Sequence, residues 1–213
     1  MAHWTSITLT AEGLGQQFGS LLLFRQMSFT LRGGESVAIT GSNGSGKSTL
    51  LRILLGLLTP TVGTVSLHLD GTAVEDAGRP LQIGLVAPYL GVYDALSARE
   101  NLQFLAQARR LAASTERIYA VLDRVGLAER ADDRVGTYSS GMRQRVKYAA
   151  ALLPKPPVLM LDEPSTNLDA PGRAMVEAVQ QDHIERGGLV VVATNRSDET
   201  DGRDRVLSVE SFR

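Results

Sequence analysis

The chain has 213 residues and a formal net charge of −1, so no basic field invites nucleic acid by electrostatics alone. It has no cysteine, which excludes disulfides, thiolate metal centres and cysteine nucleophiles. The length suits one α/β domain with a small lobe, or two modest domains, and no apolar run approaches bilayer-spanning length. In chain order, the start Met1-Ala2-His3-Trp4-Thr5 lacks the form of a signal peptide. Strand-like stretches follow near Ile7–Thr10 and Ser28–Leu31, with a turn at Gly33-Gly34-Glu35.

The apolar run Val37-Ala38-Ile39 leads into Gly41-Ser42-Asn43-Gly44-Ser45-Gly46-Lys47-Ser48-Thr49, and an apolar helix pattern runs from Leu50 to Leu58. The nine residues fit G-x-x-x-x-G-K-[ST] at every fixed position. The bland alternative is a glycine-rich turn without a ligand, and the strand before and helix after argue against it. The glycines let the backbone approach a polyphosphate and aim consecutive N–H groups at it, with the helix N-terminus adding its positive dipole end. Lys47 is then placed to reach the terminal phosphates, and the Ser48 hydroxyl to coordinate Mg²⁺.

Pro60 to Gly63 punctuates the chain before a strand near Thr64–Leu69. From Leu90 to about Leu153 the pattern turns helical. Ser97 caps a helix carrying Leu102, Leu105, Ala106 and Leu111, and Ser114-Thr115-Glu116-Arg117 opens one carrying Ile118, Val121, Leu122 and Val125, closed by Gly126. In Tyr138-Ser139-Ser140-Gly141-Met142-Arg143, Ser139 is a natural N-cap and Gly141 keeps the turn open before Val146, Ala149, Ala150 and Leu153. Pro154-Lys155-Pro156-Pro157 stops that helix. Val158-Leu159-Met160-Leu161-Asp162-Glu163 then reads as a buried parallel strand ending in two acids, at the strand end where α/β sheets place ligands. Asp162 is suited to hold Mg²⁺ through water opposite Ser48, and Glu163 to orient or deprotonate an attacking water. A helix at about 172–186 and strands at 189–193 and 205–210 complete the pattern.

The order of these parts resembles the ATP-binding cassette (ABC) family of ATPases, over nearly the whole chain: a phosphate loop, Ser139-x-Gly141 at a helix start, an apolar strand ending Asp162-Glu163, then Asn167-Leu168-Asp169. The resemblance implies an α/β fold, with a P-loop core of mixed sheet and flanking helices. The single cassette would span 1–213, with a small helical subdomain inserted at about 90–153. It implies ATP and Mg²⁺ as cofactors. It makes Ser139 and Gly141 the signature that meets the γ-phosphate held by a second subunit, although Ser140 and Met142 depart from the commonest signature. Asp169 matches an aspartate bridging the two sites of a dimer; it is equally a helix N-cap before Ala170-Pro171. Phe18 stands where the family stacks an aromatic on adenine, or else is a core aromatic at a strand end.

Two positions depart from the family. Its usual glutamine falls at Pro88 or Tyr89, and its usual histidine after the strand 189–193 is replaced by Asn195, which can donate to a γ-phosphate oxygen but carries no charge. His3, His68 and His183 read as surface or strand histidines rather than replacements.

Within the family, the DNA-maintenance class inserts a long coiled coil between loop and signature. Here that interval is about a hundred residues without a sustained heptad. The translation class joins two cassettes in one chain. The expectation is therefore an ATP-hydrolysing transporter subunit, with Glu163, Lys47 and Asn195 catalytic. It would be peripheral on the cytoplasmic membrane face, paired as a homodimer or with a related cassette, and docked through Pro88–Asp94 and the small lobe on separate membrane-spanning subunits. No nucleic acid partner is expected. The alternatives are a soluble cassette protein, or a nucleotide-gated scaffold with feeble hydrolysis, the latter motivated by Asn195. The run Ile39–Lys47, Leu50-Leu51-Arg52, Glu100-Asn101-Leu102 and the abrupt C-terminus look like the haem-exporter ATPases of cytochrome c maturation.

Overall fold

The computed structural model describes Trp4 and residues 6–213, so His3 lies outside the described residues. Two sheets form. β1 (Ile7–Phe18) and β2 (Leu21–Arg32) pair antiparallel, and β4 (Val62–Leu69) and β5 (Thr72–Val74) extend them in the order β2-β1-β4-β5. Both long strands run well beyond the stretches expected at 7–10 and 28–31. Their distal halves carry register shifts between Ala11 and Gln17, with Gly13 and Gln26 at positive φ. Such bulges add residues to one strand, which breaks the period-two alternation that marks a strand in sequence.

The second sheet is wholly parallel: β6 (Ile83–Val86), β7 (Val158–Asp162), β8 (Leu189–Thr194), β3 (Ser36–Thr40) and β9 (Arg205–Ser208), in that spatial order. β7 and β8 are buried at every position because both of their faces are covered, hence their unbroken apolar runs. Alternate residues serve two cores. Val158, Met160, Leu189 and Val191 join the antiparallel sheet and α1 (Lys47–Leu55). Leu159, Leu161, Val190 and Val192 pack against α2 (Ala98–Ala108), α3 (Thr115–Arg124), α4 (Ser140–Leu152) and α5 (Ala170–Glu185). α2, α3 and α4 lie between β6 and β7 along the chain, within the interval read as helical.

Three bounds differ from the sequence expectation. α1 stops at Leu55 rather than Leu58, because Gly56 adopts φ 86° and its N–H and that of Leu57 fold back on the last turn's carbonyls. β9 ends at Ser208, and residues 209–212 coil into a 3-10 turn with Val209 fully buried. α5 begins at Ala170, directly after its cap Asp169, rather than at Gly172.

His68 lies in β4 as expected, whereas His183 is not a surface histidine. It is buried on α5, its Nε2 sits 3.3 Å from the Pro157 carbonyl oxygen, and its ring packs on Trp4. Burial lowers its pKa to about 4, with Arg124 and Arg186 adding to the shift while the Pro157 contact and Asp182 oppose it. The folded state therefore resists protonation that the unfolded chain accepts near pH 6.5. Stability from this group is complete above about pH 6.5 and declines as pH falls towards 4, by up to about 3 kcal/mol. Denaturant melts at pH 7 and pH 5 should show a larger acid loss for wild type than for His183→Gln. Equal losses would refute the assignment.

Candidate functional site

Strand register assembles the site. Thr40 pairs with Thr194 and Asp162 with Ala193, so β7, β8 and β3, adjacent in the sheet, end side by side. The residues that leave these ends are the loop 41–46, Glu163 and Asn195. Positions far apart in the chain thus meet at the carboxyl edge of a parallel sheet, where such folds open a crevice.

Gly41 leaves β3 at φ 149°, and a Cβ there would lie 2.5 Å from Ser45 Oγ, so only glycine lets the loop close on itself. Gly46, at φ 108°, is the residue before α1 and packs under Leu23 and Phe24. Lys47 as a residue is 6% exposed, and its ammonium donates to the carbonyls of Gly41 at 2.9 Å and Ser42 at 3.2 Å. Asn195 Nδ2 donates to Asn43 Oδ1 at 3.0 Å, tying the β8 exit to the loop. Both Ser42 donors face Glu210 on the turn after β9: the N–H at 3.0 Å and the hydroxyl at 2.5 Å from Oε1. Ser45 Oγ is buried without a partner among the described residues.

Asp162 is almost fully buried, and burial raises its pKa, against which the Ser48 hydroxyl bond and the charges of Lys47 and Arg52 pull downward. Glu163 turns out of the sheet at φ 49°, its N–H bonded to the Ala193 carbonyl at 2.8 Å. That left-handed step sends its side chain away from the strand line, so two successive acids serve different directions. Burial also raises the Glu163 pKa; Lys47 opposes this, while Glu199 and Asp162 add to it. A carboxylate with increased proton affinity beside an ammonium is a suitable base for water.

An open cavity of about 440 Å³ is lined by Phe18, Leu23, Asn43, Gly44, Gly46, Lys47, Ser48, Thr49 and Glu163. Phe18 is half exposed at the end of β1, which removes the core alternative and leaves its ring as an apolar wall of the cavity. Ser139, Gly141 and Asp169 do not line it. Ser139 Oγ caps α4 by accepting from Met142 N at 3.2 Å, and Asp169 caps α5 by accepting from Gly172 N at 2.8 Å. Asp169 also lies 3.5 Å from Arg145 of α4, which ties the start of α5 to that helix.

Where the family's glutamine is missing, the Tyr89 ring lies under the Arg52 guanidinium at 4.3 Å, and Lys147 holds the Pro88 carbonyl at 3.2 Å. Sequence reading singled out neither Arg52 nor Glu210 as a site residue. Arg52 sits at i+4 from Ser48 on α1, a spacing that places both on one helix face. Glu210 carries no such signal, because its contact spans 168 residues.

The ABC transporter family model matches residues 24–166. The cytochrome c biogenesis ATP-binding export protein CcmA of Pseudomonas putida is 40% identical over 90% of this chain and 91% of its own length. The linearmycin resistance ATP-binding protein LnrL of Bacillus subtilis is 34% identical over 88% of this chain and 60% of its own. Among solved structures, a dimeric ATP-binding cassette in a post-hydrolysis state, bound to ADP and Pi, superimposes with a TM-score of 0.80 at 26% identity, covering 94% of this chain and 93% of that one.

Proposed function

Because the chain belongs to the ABC transporter family, whose cassettes are ATPases, we propose that it binds and hydrolyses Mg-ATP as the nucleotide-binding subunit of an export system serving cytochrome c biogenesis, with haem-exporter-like character. In this reading residues 1–213 work as one cassette with a helical subdomain at about 90–153. Two chains close head to tail, and the pair docks through Pro88–Asp94 on separate membrane-spanning subunits at the cytoplasmic membrane face. No described helix is long and apolar enough to cross a membrane. The observation that carries the ATPase reading is the meeting of Lys47, Ser48, Asp162 and Glu163 at one sheet edge beside a cavity of about 440 Å³. The export role rests on the relatives named CcmA.

The phosphates would lie on the loop 43–49, held by its N–H groups and the α1 N-terminus. Lys47 would exchange its two carbonyl partners for phosphate oxygens, and Phe18 would stack on the base. Mg²⁺ fits the donors available, since the Ser48 hydroxyl and the Asp162 carboxylate are adjacent hard oxygen ligands. When bound, it would neutralise phosphate charge. Glu163 would align water and take its proton. Asn195 would release Asn43 and donate Nδ2 to a γ-phosphate oxygen. Ser139 and Gly141 would complete the partner's site, with Asp169 bridging the two.

Asn195 motivates a second reading, a nucleotide-gated scaffold with weak hydrolysis, since a neutral amide stabilises developing charge less than an imidazolium. Steady-state phosphate release separates the two. Slow basal turnover is expected, rising with the membrane partner. Asn195→His should retain or raise it, and Asn195→Ala should lower it. Full activity of Asn195→Ala would remove the residue from the mechanism. For the export role, deleting the gene in its own host should abolish mature c-type cytochromes. Restoration by the wild-type gene but not by Lys47→Ala is expected, and unchanged cytochromes after deletion would reject that role.

A further inference from the structure

The turn after β9 reaches the phosphate loop through one side chain. Glu210 accepts the Ser42 N–H at 3.0 Å and the Ser42 hydroxyl at 2.5 Å. The turn that presents it is anchored: Val209 is fully buried and Phe212 packs against the core. β9 lies beside β3, with Ser208 paired to Thr40, so Glu210 and Ser42 each leave the sheet two residues past a matched pair.

The Ser42 carbonyl, and that of Gly41 before it, hold the Lys47 ammonium from the other side. A chain of contacts thus runs from Glu210 to the Gly41–Ser42 peptide to Lys47. We propose that Glu210 is a positioning residue for the phosphate loop, fixing Ser42 from the C-terminal turn so that Lys47 is set for phosphate. Ser42 is then a structural member of the loop whose two donors are spent on Glu210, rather than a direct nucleotide contact. The Ser42 hydroxyl bond, the Ser42 amide bond and the charges of Arg213 and Lys47 hold the Glu210 carboxyl below the usual range, in keeping with an ionised acceptor.

A loosened loop must be ordered when nucleotide binds, and that ordering costs affinity. The inference rests on the reading that this loop binds Mg-ATP. The test is calorimetric affinity for Mg-ATP, with steady-state kinetics, on wild type, Glu210→Ala, Glu210→Gln, Ser42→Ala and the double variant. Glu210→Ala should weaken binding about tenfold and act on KM rather than kcat, because Glu163 follows β7, outside the loop that Glu210 fixes. Glu210→Gln keeps an acceptor oxygen at the same reach and should stay within about twofold of wild type. Ser42→Ala retains the amide bond and should cost less than Glu210→Ala. The double variant should cost less than the product of the singles, since both act through one contact.

Glu210→Ala within twofold of wild type would overturn the proposal while leaving the ATP site intact. Tighter binding by both Glu210 variants would also overturn it, because the carboxylate would then be acting as a repelling charge. A wild type without measurable ATP affinity would overturn both this inference and the reading beneath it.

Discussion

Lys47→Ala should lower the affinity of the chain for Mg-ATP by at least about a hundredfold. Lys47 is a buried residue, and its ammonium makes two hydrogen bonds to neutral carbonyls of its own loop. It joins none of the ion pairs among the described residues. Polyphosphate would therefore replace carbonyl partners rather than break a salt bridge, so little charge–charge attraction is lost and much is gained. Without the lysine, Asp162 and Glu163 would face the phosphates with one fewer cation to offset them. The backbone N–H groups alone would then have to balance several negative charges. Calorimetry on folded protein decides this, and equal affinities would contradict the assignment of the loop.

Glu163→Gln should leave nucleotide affinity within a few-fold of wild type while reducing phosphate release by about 10²–10⁴-fold. Glutamine reproduces the shape of glutamate and can still orient a water, but cannot take its proton. The left-handed backbone at Glu163 and its bond to Ala193 do not depend on the carboxylate, so the site geometry should survive. A variant that releases phosphate at the wild-type rate would show that another group accepts the proton.

The phosphate loop and the Asp162-Glu163 pair are legible in sequence because each is local: a glycine pattern between strand and helix, and two acids closing an apolar run. Their proximity follows from the parallel register of β3, β8 and β7, which the alternating strand and helix patterns imply only in outline. The antiparallel sheet is less legible because its long strands carry bulges, so only the regular parts near 7–10 and 28–31 stand out. His183 was misjudged because a helix position alone does not reveal burial; Trp4, which packs on its ring, is 179 residues away in sequence. Glu210 was missed for the same reason. Its bond to Ser42 depends on β9 lying next to β3, and no spacing rule signals a contact across 168 residues. That neither Pro88 nor Tyr89 carries a side-chain amide is plain in the sequence, but the stacking of Tyr89 on Arg52 needs the fold to be seen.

Ser139, Gly141 and Asp169 stand apart from the cavity that Lys47 and Glu163 line. One chain holding all these parts without uniting them is what a shared site requires, and two-fold pairing would bring each signature to the opposite loop. The most direct test is light scattering of Glu163→Gln at saturating Mg-ATP, a condition in which hydrolysis cannot reopen the pair. The expected mass is twice the 22.9 kDa of one chain, falling back to the single-chain mass without nucleotide or when Lys47→Ala is added. A single-chain mass at saturating Mg-ATP, both alone and with membrane-spanning subunits, would contradict it.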